Sequence, residues 1–208
     1  MGEGTGDIVG VVLGAGSSRR LGRPKQTLPF GSHTLLSHVV TDVVAARSLT
    51  RVVLVTGGAA AESVAALDLG RADVVHNDAY GDGCASSLLA GLDAAGDADA
   101  IVMLLGDMPG VTAAIIDRVV ASWLSTPSWA ALAEYRGDVG HPFVFSAGAF
   151  STLRLLHGDK AVWKIVDDAP VDRVRRIPVD VDLPRDVDTW DDYVAACTRF
   201  GFEATASA

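Results

Sequence analysis

Four short apolar runs constrain what this chain can fold into: "DIVGVVLG" (Asp7–Gly14), "RVVLVTGG" (Arg51–Gly58), "ADVVHN" (Ala72–Asn77) and "DAIVMLLGD" (Asp99–Asp107). Each is brief, rich in β-branched residues and bounded by glycine, asparagine or aspartate, the pattern of a strand. Between and after them lie "HTLLSHVVTDVVAARS", "AAESVAALDLG", "CASSLLAGLDAA" and "TAAIIDRVVASWLS", whose apolar positions recur at helical spacing. Strand and helix in alternation build right-handed βαβ units and a mainly parallel sheet. Beyond Pro127 the rhythm loosens. "WAALAEYRGDVGHPFVFS" reads as two strands around a polar glycine turn, and "AFSTLRLLHGDKAVWKIVDD" as a helix broken at His157–Asp159. "VRRIPVDVD" is a late strand, and "DTWDDYVAACTRF" a closing helix with Asp188 or Thr189 as N-cap. The expectation is an α/β, single-domain Rossmann-like fold over residues 8–201, with flexible tails at 1–7 and 202–208.

The 208 residues and 49% apolar content suit one domain with a full core. A formal charge of −9 opposes nonspecific binding to nucleic acid or an acidic membrane, so an anionic ligand needs a local basic cluster. The start, "MGEGTGDIVG", lacks the basic region of a signal peptide, and no apolar run is long enough to span a bilayer. Cys84 and Cys197 form no CxxC pair and read as reduced thiols, which suits a cytoplasmic protein. Trp123, Trp129, Trp163 and Trp190 read as core or partly covered surface.

The basic cluster follows the first strand, in "LGAGSSRRLGRPKQTLPFG". A parallel sheet binds ligands beyond the carboxyl ends of its strands, where this loop must lie. It is not a dinucleotide fingerprint, because Arg19 stands where the third glycine belongs. Nor is it a P-loop, because "GRPKQT" lacks Gly-Lys-Ser/Thr. Its chemistry still suits phosphate: Gly14 and Gly16 permit close backbone approach, Ser17 and Ser18 can donate, and Arg19, Arg20 and Lys25 carry charge. A solvated basic turn is the plainer alternative. Asp107, in "LLGDMPG" at the end of the fourth strand, lies on the same edge, where a carboxylate can share Mg²⁺ with substrate phosphates. A turn residue before Pro109 is the other reading.

Together these motifs resemble the MobA-like NTP transferase superfamily. The correspondences are "LGAGSSRRLG", Lys25 in "PKQTLPFG", "LLGDMPG" and, near the end, "RDVDTWDDY". "GDGCASSLLAGL", "GHPFVF" and "HGDK" are similar to segments of its molybdenum cofactor cytidylyltransferase branch. The resemblance implies Mg²⁺-dependent transfer of a nucleotidyl group, most often CMP from CTP, onto a phosphate of molybdopterin, releasing pyrophosphate; the product passes to a molybdoenzyme. On that reading Leu13, Gly14, Ala15, Gly16, Ser17, Ser18, Arg19, Arg20 and Lys25 hold the nucleotide, with Arg19, Lys25 and Asp107 catalytic. Ser86 and Ser87 bind nucleotide or cap their helix. Gly140, His141 and Asp159 face the acceptor, with a purely structural hydrogen bond the alternative for His141. Asp107 holds the metal, joined by Asp188 unless Asp188 caps the last helix.

The chain departs from the branch in four places: Gly14-Ala15 is a mild change in the loop, Cys84 and Ala85 hold the methionine and glycine positions of the serine segment, and Leu89 and "AVW" after Lys160 stand where arginines are common. The acceptor side thereby loses anion-binding groups. Sugar, alditol or organic-acid phosphates as acceptors, and GTP as donor, therefore stay open. So do an NAD(P)H-dependent oxidoreductase and a noncatalytic cofactor chaperone on the same fold.

Overall fold

The computed structural model describes residues 6–205 apart from 17, 19, 59–60, 62–63, 65–66, 68 and 159–160. The helix expected over "AAESVAALDLG" lies largely outside the described residues. A seven-stranded sheet forms the centre, in the order β5-β4-β1-β6-β8-β7-β9. The strands are β1 (Ile8–Leu13), β4 (Arg51–Thr56), β5 (Ala72–His76), β6 (Ala100–Leu105), β7 (Ala130–Tyr135), β8 (Asp138–Ser146) and β9 (Val174–Val179). A separate small hairpin joins β2 (Pro29–Phe30) to β3 (His33–Thr34).

The four apolar runs are the parallel half, β5-β4-β1-β6. β1 is buried at every position, as a strand covered on both faces should be. Ile8 and Val12 look toward α1 (Leu35–Ala45) and α3 (Ala113–Ser125), packing with Leu36, Val40, Ile116 and Val119. Val9 and Val11 look the other way, toward α2 (Cys84–Ala95) and its Leu88 and Leu92. A period-two strand thus meets helices of period 3.6 on each side, and the two cores share one sheet.

The later half is mixed. β8 is antiparallel to both β6 and β7, and β9 joins β7 in parallel at the edge. Arg136 and Gly137 both have positive φ at the β7–β8 turn, the twist a two-residue hairpin requires. Pro178 is tolerated because β9 is an edge strand. The expected interruption at His157–Asp159 separates α4 (Phe150–Leu153) from α5 (Ala161–Asp168).

A third cluster ties the chain's two ends together. Leu28, Phe30 and Leu35 pack with Val187, Tyr193 and Cys197, the last two on α6 (Trp190–Phe200). Phe202 lies against Phe30 at 5.0 Å between ring centres. Thr189 caps α6: its side chain accepts from the Asp192 amide while Asp192 accepts from the Thr189 amide. Of the two N-cap candidates it is therefore Thr189, and Asp188 stands one residue outside the helix.

From β1 the chain moves outward through β4 to β5, then returns to place β6 on β1's other side. That reversal opens a crevice beyond the carboxyl ends of β1 and β6.

Gly91 lets α2 lie close on β1, since a Cβ there would come 2.3 Å from Val11 Cγ1. Alanine favours a helix over glycine by about 1 kcal/mol, whereas overpacking costs about 1–3 kcal/mol. Gly91→Ala is therefore expected to lower the urea midpoint; a raised midpoint would show that α2 is free to move.

Candidate functional site

The glycine loop leaves β1 at this crevice, held by close backbone approaches. The Gly14 amide donates to Val55 O at 2.8 Å, and the Gly106 amide to Leu13 O at 2.9 Å. A Cβ on Gly106 would lie 3.1 Å from Leu13 O and 3.2 Å from Gly14 Cα. Ala15, between the two loop glycines, is buried at 5% exposure and lines the cavity. The loop's shape then depends on Gln26, only 2% exposed, whose amide donates to the carbonyls of Gly14 and Gly16, both at 2.9 Å. Two oxygens that would repel an anion are thereby engaged. Ser18, at φ +50°, accepts the Lys25 amide at 2.9 Å and turns the chain toward the lysine.

Lys25 is the centre of the charge cluster. Its buried ammonium pairs with Asp107, at the end of β6, and with Asp188 Oδ1 at 2.9 Å. The other Asp188 oxygen takes Arg20 at 2.8 Å. Burial pushes the Asp107 carboxyl above its ordinary value; Lys25 opposes this, and Asp186 and Asp188 add to it. Burial also works against the Lys25 ammonium, but Asp107 and Asp188 outweigh it and hold its pKa above the usual lysine range. At Asp188 burial is overcome by the bonds from Lys25 and Arg20, so its pKa is lowered. Asp188 reaches Lys25 because the Val187 amide donates to Asp107 O at 2.9 Å while the Val187 side chain is buried in the third cluster.

These groups line a cavity of about 640 Å³. Leu13, Gly14, Ala15, Gly16, Ser18, Arg20 and Lys25 line it from the loop, with Asp107, Asp188, Ser87 and His141 also in its lining. Ser87 accepts from Asn77 Nδ2 at 3.1 Å. Ser86 does not line the cavity; its hydroxyl is held by Asn77, Ala79 O and Gly83 O at 3.0, 2.8 and 2.9 Å. Neither serine is the N-cap of α2, a place held by Gly83. Gly140 lies in a second cavity of about 890 Å³ that adjoins the first. Ser17, Arg19 and Asp159 lie outside the described residues.

His141 stands where the two cavities meet. It falls in a β-bulge: Leu132 pairs with Phe143 and Ala133 with Gly140, leaving His141 and Pro142 as the extra residues. A Cβ on Gly140 would come 2.5 Å from Leu183 Cδ1, so the Leu183 side chain packs close against the bulge. The His141 imidazole is 2% exposed, with Nδ1 3.2 Å from Met103 O, and burial pushes its pKa down to about 4.

Several cavity residues carry no signature in the sequence. Gln26 is one polar residue in a loop, and Asp186 one of many acidic residues near the end. Trp163, read from sequence as core or partly covered surface, is half-buried against the second core cluster and also lines both cavities. Only its place beside Lys160, where the branch tends to have an arginine, hinted at this.

The loop's internal donor and the buried imidazole can each be tested. Gln26→Leu leaves two loop carbonyls without their donor, which is expected to cost about 1–3 kcal/mol in urea unfolding and to weaken pyrophosphate binding; unchanged values for both would remove Gln26 from the loop's support. His141 has a folded pKa below its ordinary 6.5, so its stabilising contribution is complete above pH 6.5 and is lost as pH falls toward about 4. Unfolding at pH 7 and pH 4 is expected to show about 3 kcal/mol of such loss, absent in His141→Asn; equal losses in both proteins would mean the imidazole titrates freely.

A model of the MobA-like NTP transferase domain family matches residues 10–174. The manganese complex of Rv0371c from Mycobacterium tuberculosis H37Rv superposes with a TM-score of 0.78 at 37% identity, covering 92% of this chain and 98% of that one. Nicotine blue oxidoreductase of Paenarthrobacter nicotinovorans is 33% identical over 147 residues, 68% of this chain and 72% of that protein. A probable molybdenum cofactor guanylyltransferase of Mycobacterium ulcerans is 34% identical over 123 residues, 57% of this chain and 58% of its own length. With the glycine loop and Asp107 meeting at the sheet's reversal, the chain belongs to the MobA-like NTP transferase family and is a nucleotidyltransferase of that type.

Proposed function

We propose that this protein transfers a nucleotidyl group from a nucleoside triphosphate to a phosphate of molybdopterin, releasing pyrophosphate with the help of a divalent cation. The carrying observation is the convergence of Lys25, Asp107 and Asp188 beside the glycine loop. The sequence resemblance favoured CTP as donor, whereas the relative named molybdenum cofactor guanylyltransferase favours GTP. We take GTP as the first donor to test.

An acceptor phosphate is anionic near neutral pH and needs no general base. The site's work is to align it with the α-phosphorus and to stabilise charge on the departing pyrophosphate. Arg20, Lys25 and the loop amides would meet the triphosphate oxygens. The described charged residues lining the cavity are two basic and three acidic, the third acid being Asp186. A triphosphate entering that field needs further positive charge. Asp107 and Asp188 therefore fit a divalent cation, Mg²⁺ or the manganese named for Rv0371c, which usually takes one or two carboxylates beside phosphate oxygens. When bound, such a cation supplies electrophilic stabilisation of the phosphates. Meanwhile Lys25 holds the two carboxylates in place and keeps their mutual repulsion in check.

The relative named for an oxidoreductase keeps a redox reading in view. Against it, the loop lacks the third glycine of a dinucleotide fingerprint.

The test is pyrophosphate release from GTP, CTP, ATP and UTP with Mg²⁺ or Mn²⁺, each with and without molybdopterin, alongside NADH and NADPH oxidation. Release with GTP only when molybdopterin is present is expected, and Asp107→Asn is expected to lower it by at least about a hundredfold. Full activity in Asp107→Asn would remove Asp107 from the chemistry. Nicotinamide oxidation without pyrophosphate release would replace the transfer reading.

A further inference from the structure

Lys25 has two tasks at this site, holding Asp107 to Asp188 and meeting a triphosphate. As the structure stands its ammonium is engaged in the first: it pairs with Asp107 Oδ2 and donates to Asp188 Oδ1 at 2.9 Å. The second Asp188 oxygen takes Arg20 at 2.8 Å, so each oxygen of that carboxylate is already matched by a positive charge. Both basic residues of the loop side are therefore spent on carboxylates before any phosphate arrives.

A divalent cation that took Asp107 and Asp188 as ligands would have to take the place of the ammonium between them. The two cannot share it. Lys25 is 8% exposed, and a dication a few ångströms from an ammonium is repelled strongly where water and salt screen little. One of them must leave before the other can stay.

The lysine is placed so that only its head has to move. Its own amide donates to Ser18 Oγ at 2.9 Å, and the next residue, Gln26, holds the loop carbonyls, so the backbone is fixed. The side chain runs beside Gly16, where a Cβ would lie 3.6 Å from Lys25 Cε, and it ends in a point charge on a flexible stem. Rotation about the bonds of that stem carries the ammonium to a phosphate held by the loop while the loop stays where it is.

We propose that Lys25 is a latch on the cation position. In the nucleotide-free protein its ammonium stands between Asp107 and Asp188 and keeps a divalent cation out. A triphosphate opens the position by drawing Lys25 and Arg20 onto its own oxygens. Phosphate then replaces carboxylate at both basic residues, and the cation replaces the ammonium at both carboxylates, so no buried charge is left uncompensated. Holding the carboxylates is thus the task of Lys25 until the cation takes it over. The latch rests on the transfer reading for the identity of its ligand. Its consequence is coupling: nucleotide and cation each favour the binding of the other, beyond any contact between them.

Binding of Mn²⁺ alone, read from the electron paramagnetic resonance signal of the free ion, tests this without turnover. The unmodified chain is expected to bind it weakly. Lys25→Met keeps the stem and removes the ammonium, and is expected to bind Mn²⁺ at least about tenfold more tightly. Arg20→Met removes the same charge from a side chain that is 68% exposed and reaches Asp188 alone of the two carboxylates, and a gain below about threefold is expected. Equal gains in the two variants would reduce the effect to net charge and overturn the latch, as would no gain in Lys25→Met.

Should Lys25→Met fold poorly, the unmodified chain decides. It has three lysines, Lys25, Lys160 and Lys164, so its ¹⁵N ammonium spectrum is simple, and Lys160→Arg and Lys164→Arg assign the other two signals. The Lys25 signal is expected to keep its position with Mg²⁺ alone and to move with magnesium pyrophosphate. A signal that moves with Mg²⁺ alone, or keeps its position with magnesium pyrophosphate, overturns the latch. Failure of the transfer reading itself would show separately, as absent pyrophosphate release whatever the cation does.

Discussion

One ammonium group joins the parts of this protein that lie farthest apart in sequence. Lys25 sits just after the glycine loop, Asp107 at the end of the strand beside it, and Asp188 before the last helix, yet all three meet in one half-buried cluster. Burial disfavours the charge on each of them, and the opposite charges beside it offset part of that cost. Removing one partner from such a cluster leaves a buried charge uncompensated, the most expensive defect a core can carry. The loop, the sheet reversal and the C-terminal helix are thus held to one geometry by electrostatics as well as by the third apolar cluster.

That geometry divides the cleft into two chemical halves. Beside the glycine loop the lining is ionic, with three acidic and two basic residues among those described. Beside β8 an aromatic wall of His141, Phe143 and Trp163 stands among charged residues that include Arg136, Asp138 and Asp186. Where an anion-binding group is common in the resembling branch, this chain places Trp163 on the cavity wall.

The fold was largely legible from the chain itself because its signals are local. Both-faced burial made the parallel strands continuous apolar runs, and amphipathic helices followed them at the expected period. The glycine-loop side of the site was legible for the same reason: Gly14, Ala15, Gly16, Arg20 and Lys25 are neighbours in sequence, and they line one wall of the cavity. Asp107 could be placed because a strand's carboxyl end is a topological position, readable once the strand is recognised. Ser86 shows the limit of that reasoning. Its place at a helix start suggested a ligand or a cap, whereas its hydroxyl is occupied by Asn77 and two carbonyls.

Sequence alone determined the sheet's parallel half, the loop that follows β1 and the residue types able to meet phosphate, since each depends on residues a few positions apart. Tertiary structure decided which distant groups join them. Gln26 became the loop's internal donor, Thr189 took the helix cap and left Asp188 to Lys25, and a bulge in β8 put His141 at the junction of two cavities. The Lys25–Asp188 contact joins residues 163 positions apart and the place of His141 depends on bulge register, whereas the Gln26 and Thr189 bonds are local choices among competing partners that burial and packing decide.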